Sequence, residues 1–189
     1  MAQELVMKSH QFPKNLDWVR DAAIAQPVCT AVQIGLVDIV THAGLEFGTL
    51  VGHSTGEIAA AYAAGCISAE DAIKIAYYRG FHASKISKRG AMIAIGAPRA
   101  QIEDLLNQEF FSGQVSIVAF NGPNSVTLSG DADMIKAMED VALRMNIFAK
   151  ILDVDTVYHL SHMAECVQPY LESLTSSKIE TKYYKAGTL

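Results

Sequence analysis

The sequence predicts an α/β protein, and two observations lead to that class. A short β-rich run, Phe47 to His53, passes through the turn Gly52-His53-Ser54-Thr55-Gly56 into an alanine-rich helix, Glu57 to Ala64, ending at Gly65. From Ala91 the periodicity reads strand, helix, strand, strand, helix, strand, which is the order of a ferredoxin-like split β-α-β arrangement. An inserted small subdomain is therefore expected at 91–153, with 1–90 and 154–189 as parts of one larger α/β subdomain.

Ahead of the turn, apolar residues recur at helical spacing from Pro27 to His42 (Val28, Val32, Leu36, Ile39, Val40), with Gly44 as the stop, so this helix is expected to pack that face on a core. After Gly65, Ser68-Ala69-Glu70-Asp71 resembles an N-cap with an acidic first turn, and a helix is expected to run to about Ser87 with Arg79 well inside it. The small subdomain is read as a strand Ala91 to Ile95, a helix from Pro98, strands near Val115 to Phe120 and Val126 to Ser129, a helix Asp131 to Met145 and a strand Ile147 to Val154. Beyond it, His162 to Leu174 looks helical, and the tail shows no period.

Composition excludes several function classes. The 189 residues are 50% hydrophobic and 19% charged, enough apolar material for one folded domain with a sizeable core. The net charge of −5 is spread along the chain with no basic cluster interleaved with aromatics, so nucleic acid is not an expected partner. The start has no apolar export segment, and Ala22 to Val40 is interrupted by Gln26, Pro27, Thr30, Gln33 and Asp38, so no membrane association is expected. Cys29, Cys66 and Cys166 are far apart and read as reduced thiols of a cytoplasmic protein. His159 and His162 have no acidic partner at ligand spacing, so no metal is expected.

The turn around Ser54 carries the chemistry. A serine on a sharp strand-to-helix turn needs neighbours two positions away without side chains, and Gly52 and Gly56 meet that need. Its hydroxyl would face the start of a helix, where the Thr55 amide is the natural first oxyanion donor. His159 follows a strand end and is the candidate base, although a single histidine is more often a packed or surface residue; His42 and His82 read as helix-surface residues. An arginine such as Arg79 can grip a free carboxylate bidentately, but spacing alone favours a solvated helix arginine.

The run GHSTGEIAAAYAAGCIS resembles the nucleophile segment of acyltransferase domains in iterative type I polyketide synthases, particularly the fungal reducing kind. QPVCTAVQIGLVDIV, AYYRG, GAMIAIG, AFNGPNSVTLSG and VYHLSHM match in order, so the resemblance covers about residues 15 to 174. It implies an acyl transferase fold, with an α/β-hydrolase-like parallel-sheet subdomain around the serine. It also implies transfer of a malonyl or related acyl group from CoA to the phosphopantetheine of an acyl carrier protein.

Residue by residue, the resemblance assigns the nucleophile to Ser54, the catalytic histidine to His159, the carboxylate-binding arginine to Arg79 and an active-site glutamine to Gln26. His53 and Tyr158 fall at the acyl-binding site, and the aromatic before His159 looks more like the malonyl than the methylmalonyl pattern. No metal or redox cofactor is implied; acyl-CoA and carrier phosphopantetheine are substrates, and the other synthase domains are partners. Thr55, where serine is common, and Leu160 depart from the family pattern. The family's first-strand glutamine motif and its C-terminal portion have no counterpart, so the chain is expected to be a truncated piece of the domain. Two rival readings remain: a serine esterase or lipase, which the β-α-β-β-α-β segment speaks against, and an inactive fragment acting as a scaffold.

Overall fold

The computed structural model describes residues 21–86, 90–152 and 163–181. Three helices come first: α1 (Ala22–His42), α2 (Gly56–Ala63) and α3 (Ala69–Ala83). The Asp21 carboxylate opens α1 by accepting a hydrogen bond from the Ala23 amide at 2.9 Å, so the helix starts a turn earlier than its apolar pattern indicated and Pro27 lies inside it. Ser68 caps α3 as its sequence foretold, accepting from the Asp71 amide at 3.0 Å, but the helix ends at Ala83 rather than near Ser87. Gly44 and Gly65 follow α1 and α2 with positive φ, 81° and 72°, and close both helices.

Helix α1 does not pack as its sequence suggested. Its buried row is Ala22, Gln26, Thr30 and Ile34, whereas Val28, Val32, Leu36 and Ile39 are exposed, Ile39 by 67%. The reason is the closeness of α3, whose buried row is Ala72, Ala76, Gly80 and Ala83. A Cβ on Gly80 would stand 2.0 Å from the Ala22 carbonyl oxygen, so the crossing admits only small side chains and selects the small, polar face of α1. Length and apolar composition alone would let α1 cross a membrane. Its Asp38, however, accepts the Tyr62 hydroxyl at 2.6 Å, and its Gln26 enters a network described below, which ties the helix to α2 and α3.

The predicted strand Phe47 to His53 is not formed. Among the described residues no strand lies beside it to take its backbone hydrogen bonds, and Val51 is 90% exposed. The parallel sheet expected around the serine thus has no strand among the described residues.

The second half holds one sheet: β1 (Gly90–Ile95), α4 (Arg99–Leu106), β2 (Val115–Gly122), β3 (Ser125–Asp131), α5 (Ala132–Arg144) and β4 (Ala149–Ile151). Strand order is β2-β3-β1-β4 and every pairing is antiparallel, with Ile93 opposite both Leu128 and Ile151. This is the ferredoxin-like order. Ile93, Ile95, Val126 and Leu128 bury their side chains against Ile102 of α4 and Ile135 and Met138 of α5, and Phe111 completes the core.

The last helix, α6 (Ala164–Ser176), docks on α3. Tyr170 donates its hydroxyl to the Ile75 carbonyl at 3.4 Å, Ser177 donates to the Tyr78 hydroxyl at 3.1 Å, and His82 Nε2 meets the Ser173 hydroxyl at 2.8 Å. His82 is therefore a half-buried docking residue rather than the helix-surface residue its position suggested. Burial holds its pKa below the ordinary histidine value, with Lys85 adding to the effect and Glu172 opposing it. His42 is exposed, as read.

Candidate functional site

Ser54 occupies the left-handed region with φ of 55°, a conformation that costs a non-glycine residue about 1 to 3 kcal/mol and tends to be retained where function requires it. The turn is held by Gly56 N–H donating to His53 O at 3.0 Å, Glu57 N–H to Ser54 O at 3.2 Å and Ile58 N–H to Thr55 O at 3.1 Å, which together begin α2. A Cβ on Gly52 would stand 2.3 Å from both the Glu57 nitrogen and Cα, so only glycine fits there. Gly56 differs from its sequence reading: nothing described lies within 4 Å of a Cβ placed on it, because as the first residue of α2 it points away from the turn. Among the described residues the Thr55 amide donates to no acceptor. His53 is exposed.

Three residues far apart in sequence meet beside this turn. Arg79, on the fourth residue before the end of α3, donates from Nη1 to the Gln26 carbonyl oxygen at 2.7 Å and to the Thr55 hydroxyl at 3.0 Å. Thr55 in turn donates its hydroxyl to the same Gln26 oxygen at 2.8 Å. Gln26 is only 9% exposed, so its oxygen is satisfied inside the protein by two donors, one of them charged. Arg79 is thus a half-buried, oriented cation and not the solvated helix arginine that spacing favoured. The small residues of the α1–α3 crossing let Gln26 come so close.

Sequence reading passed over two residues of α6 near this arginine. The thiol of Cys166 donates to the Met163 carbonyl at 3.1 Å, and burial pushes the pKa of both Cys166 and Tyr170 up while the Arg79 charge draws them down. The signal was available: Cys166, Tyr170 and Ser173 share one helix face at spacings of four and three. His159 and Tyr158 lie outside the described residues.

A cavity of about 520 Å³ opens at the other end of α2, lined among others by Asp38, Tyr62, Cys66, Asp71 and Glu180. Its carboxylates would repel an anionic ligand. None of Ser54, Gln26 and Arg79 lines it, so the cationic site and this acidic cavity are distinct places.

Residues 6–186 match the acyl transferase domain family. The chain belongs to that family. It is 46% identical over 167 residues to a polyketide synthase-nonribosomal peptide synthetase of Aspergillus clavatus, covering 88% of this chain and 4% of that synthetase. It is 50% identical over 163 residues to the hybrid PKS-NRPS synthetase mycA of Thermothelomyces thermophilus, covering 86% of this chain and 4% of the relative. The chain therefore spans a small part of the length of these relatives. Among solved structures, the malonyl CoA-acyl carrier protein transacylase of Burkholderia pseudomallei superposes with a TM-score of 0.77 at 26% identity, over 90% of this chain and 63% of the transacylase. The acyl transferase domain so identified has an α/β fold.

Proposed function

We propose that this acyl transferase domain takes a malonyl group from malonyl-CoA onto Ser54 and passes it to the phosphopantetheine thiol of an acyl carrier domain. The observation that carries the reading is the pairing of a strained serine turn with an oriented arginine: Ser54 at φ 55° begins the segment whose next residue, Thr55, hydrogen-bonds Arg79. A plain esterase has no use for a cation fixed beside its nucleophile. An acyl group with a free carboxylate does, because a guanidinium edge can hold that carboxylate while the thioester carbon meets the serine.

In the first half-reaction His159 takes the Ser54 proton as Ser54 Oγ attacks the thioester carbonyl. The oxyanion that forms is held by the Thr55 amide and the start of α2. Collapse expels CoA, whose sulfur leaves with the proton from His159, and an acyl-serine remains. The carrier thiol then gives its proton to His159, attacks the acyl-serine carbonyl, and Ser54 recovers its proton. Gln26 orients Arg79, while His53 and Tyr158 line the acyl site. No metal or redox cofactor takes part.

The large subdomain would comprise 1–90 and 154–189 and the small one 91–153, with the ferredoxin-like sheet carrying no catalytic group. The other domains of a synthase would be partners, in the cytoplasm, where the free thiols of Cys29, Cys66 and Cys166 are at home. The test is Arg79→Ala assayed with malonyl-CoA and acetyl-CoA and a carrier protein as acceptor. Malonyl transfer should fall by about tenfold to a hundredfold, as expected for a lost charge-assisted hydrogen bond, and acetyl transfer should not fall. Equal losses for both donors would assign Arg79 a structural role.

A further inference from the structure

We propose that the side-chain hydroxyl of Thr55 positions Arg79 and so sets the preference for acyl groups that carry a carboxylate. The inference rests on the reading of Arg79 as the carboxylate grip. Thr55 Oγ1 has one proton, which it gives to Gln26, and its lone pairs accept from Arg79 Nη1. Gln26 Oε1 accepts from the same nitrogen, so the three side chains close a triangle with sides of 2.7, 2.8 and 3.0 Å. Both acceptors bind the same guanidinium nitrogen and so hold that end of the Arg79 side chain against Gln26 and Thr55.

A second feature points the same way. Thr55 is the N-cap of α2, where a threonine oxygen usually accepts from an amide of the first turn, yet its side chain makes no such bond. Its backbone is helical (φ −62°, ψ −26°), and the hydroxyl is turned to Gln26 and Arg79 instead. A residue that gives up a helix cap to orient an arginine works for the site and not for the helix. Because Thr55 follows Ser54 directly, it also couples the serine turn to the arginine through one covalent step. The span between nucleophile and carboxylate grip is thereby set by a single residue.

The test uses the full chain with Thr55→Val, which keeps the β-branch and removes the hydroxyl, and Thr55→Ser, which keeps the hydroxyl; Thr55→Ala replaces the valine variant should that one lack a cooperative melt. One readout is nitrogen NMR of the Arg79 guanidinium. Rotation about its Cζ–Nη bonds should quicken at least about fivefold in Thr55→Val and change less than about twofold in Thr55→Ser, since each hydrogen bond to a charged group restrains it. The other is the ratio of malonyl to acetyl loading on Ser54, which should fall about tenfold in Thr55→Val and be restored in Thr55→Ser. Unchanged rotation and an unchanged ratio in Thr55→Val would overturn the proposal. Arg79→Ala separates the two layers. If it alters the ratio while Thr55→Val does not, only the role of Thr55 fails; if it leaves the ratio unchanged, the carboxylate reading falls and takes the proposal with it.

Discussion

In the sheet unit from Gly90 to Ile151 the core is built of bulky apolar side chains, with Ile93, Leu128, Ile135 and Met138 all at 0% exposure, whereas along α1 the buried row Ala22, Gln26, Thr30 and Ile34 is mostly small or polar and Val28, Val32, Leu36 and Ile39 face outward. One region gains its stability from area removed from water. The other gains it from a close helix crossing made possible by Gly80, and it spends that closeness on bringing Gln26 to Arg79. The contrast separates scaffold from site: a greasy core tolerates repacking, while a small-residue crossing fixes distances between polar groups.

The largest expected effect is in the sheet core. Ile93→Ala should destabilise its unit by about 2 to 5 kcal/mol, the range for a large-to-small change at a fully buried position. Amide exchange would check this, with β1 and β3 losing protection and α3 keeping its own. Next, Gly80→Ala should cost about 1 to 3 kcal/mol, because the added methyl meets the Ala22 backbone, which cannot swing aside. The same variant should weaken malonyl transfer by displacing Gln26 from Arg79, which thermal melts run beside loading assays would reveal. If Gly80→Ala lowered stability and left malonyl loading intact, the crossing would be scaffold only.

Smaller effects sharpen the picture inside the helical region. Gly56→Ala should stabilise α2 by about 0.5 to 1 kcal/mol, since the helix gains a better former and the described surroundings leave the methyl room. Gly52→Ala should instead disrupt the turn, and urea titration of the pair distinguishes the two glycines. The smallest expected effect is pH-linked and sits at the α3–α6 contact. The pKa of His82 is lower folded than unfolded, so its contribution is present above its ordinary value of 6.5 and is lost as pH falls through the depressed folded value. Stability measured by urea titration at several pH values should decline on acidification, and His82→Gln should remove that part of the decline.

Much of the scaffold was legible in the sequence because local chemistry decides it. The Ser68 cap, the stops at Gly44 and Gly65 and the β-α-β-β-α-β order all follow from single residues and short-range periodicity. The site was legible only in part. Periodicity found the apolar stripe of α1 but could not tell that the opposite face would be buried, since the Gly80 crossing that decides it is a tertiary event. The run Phe47 to His53 has strand composition, but a strand needs a neighbour and none is described beside it. Gln26 and Arg79 were named by resemblance to a family. That Thr55 joins them could not be read at all, because a residue standing at a helix start is expected to cap that helix.

The central claim, that Ser54 accepts the acyl group beside an arginine held for its carboxylate, is tested most directly by mass spectrometry of the intact chain and its peptides after exposure to malonyl-CoA. The expected result is one added malonyl group, located on the peptide containing Ser54, absent from Ser54→Ala and released by an acyl carrier protein bearing phosphopantetheine. A malonyl adduct that persists in Ser54→Ala, or one found on another residue, would contradict the account.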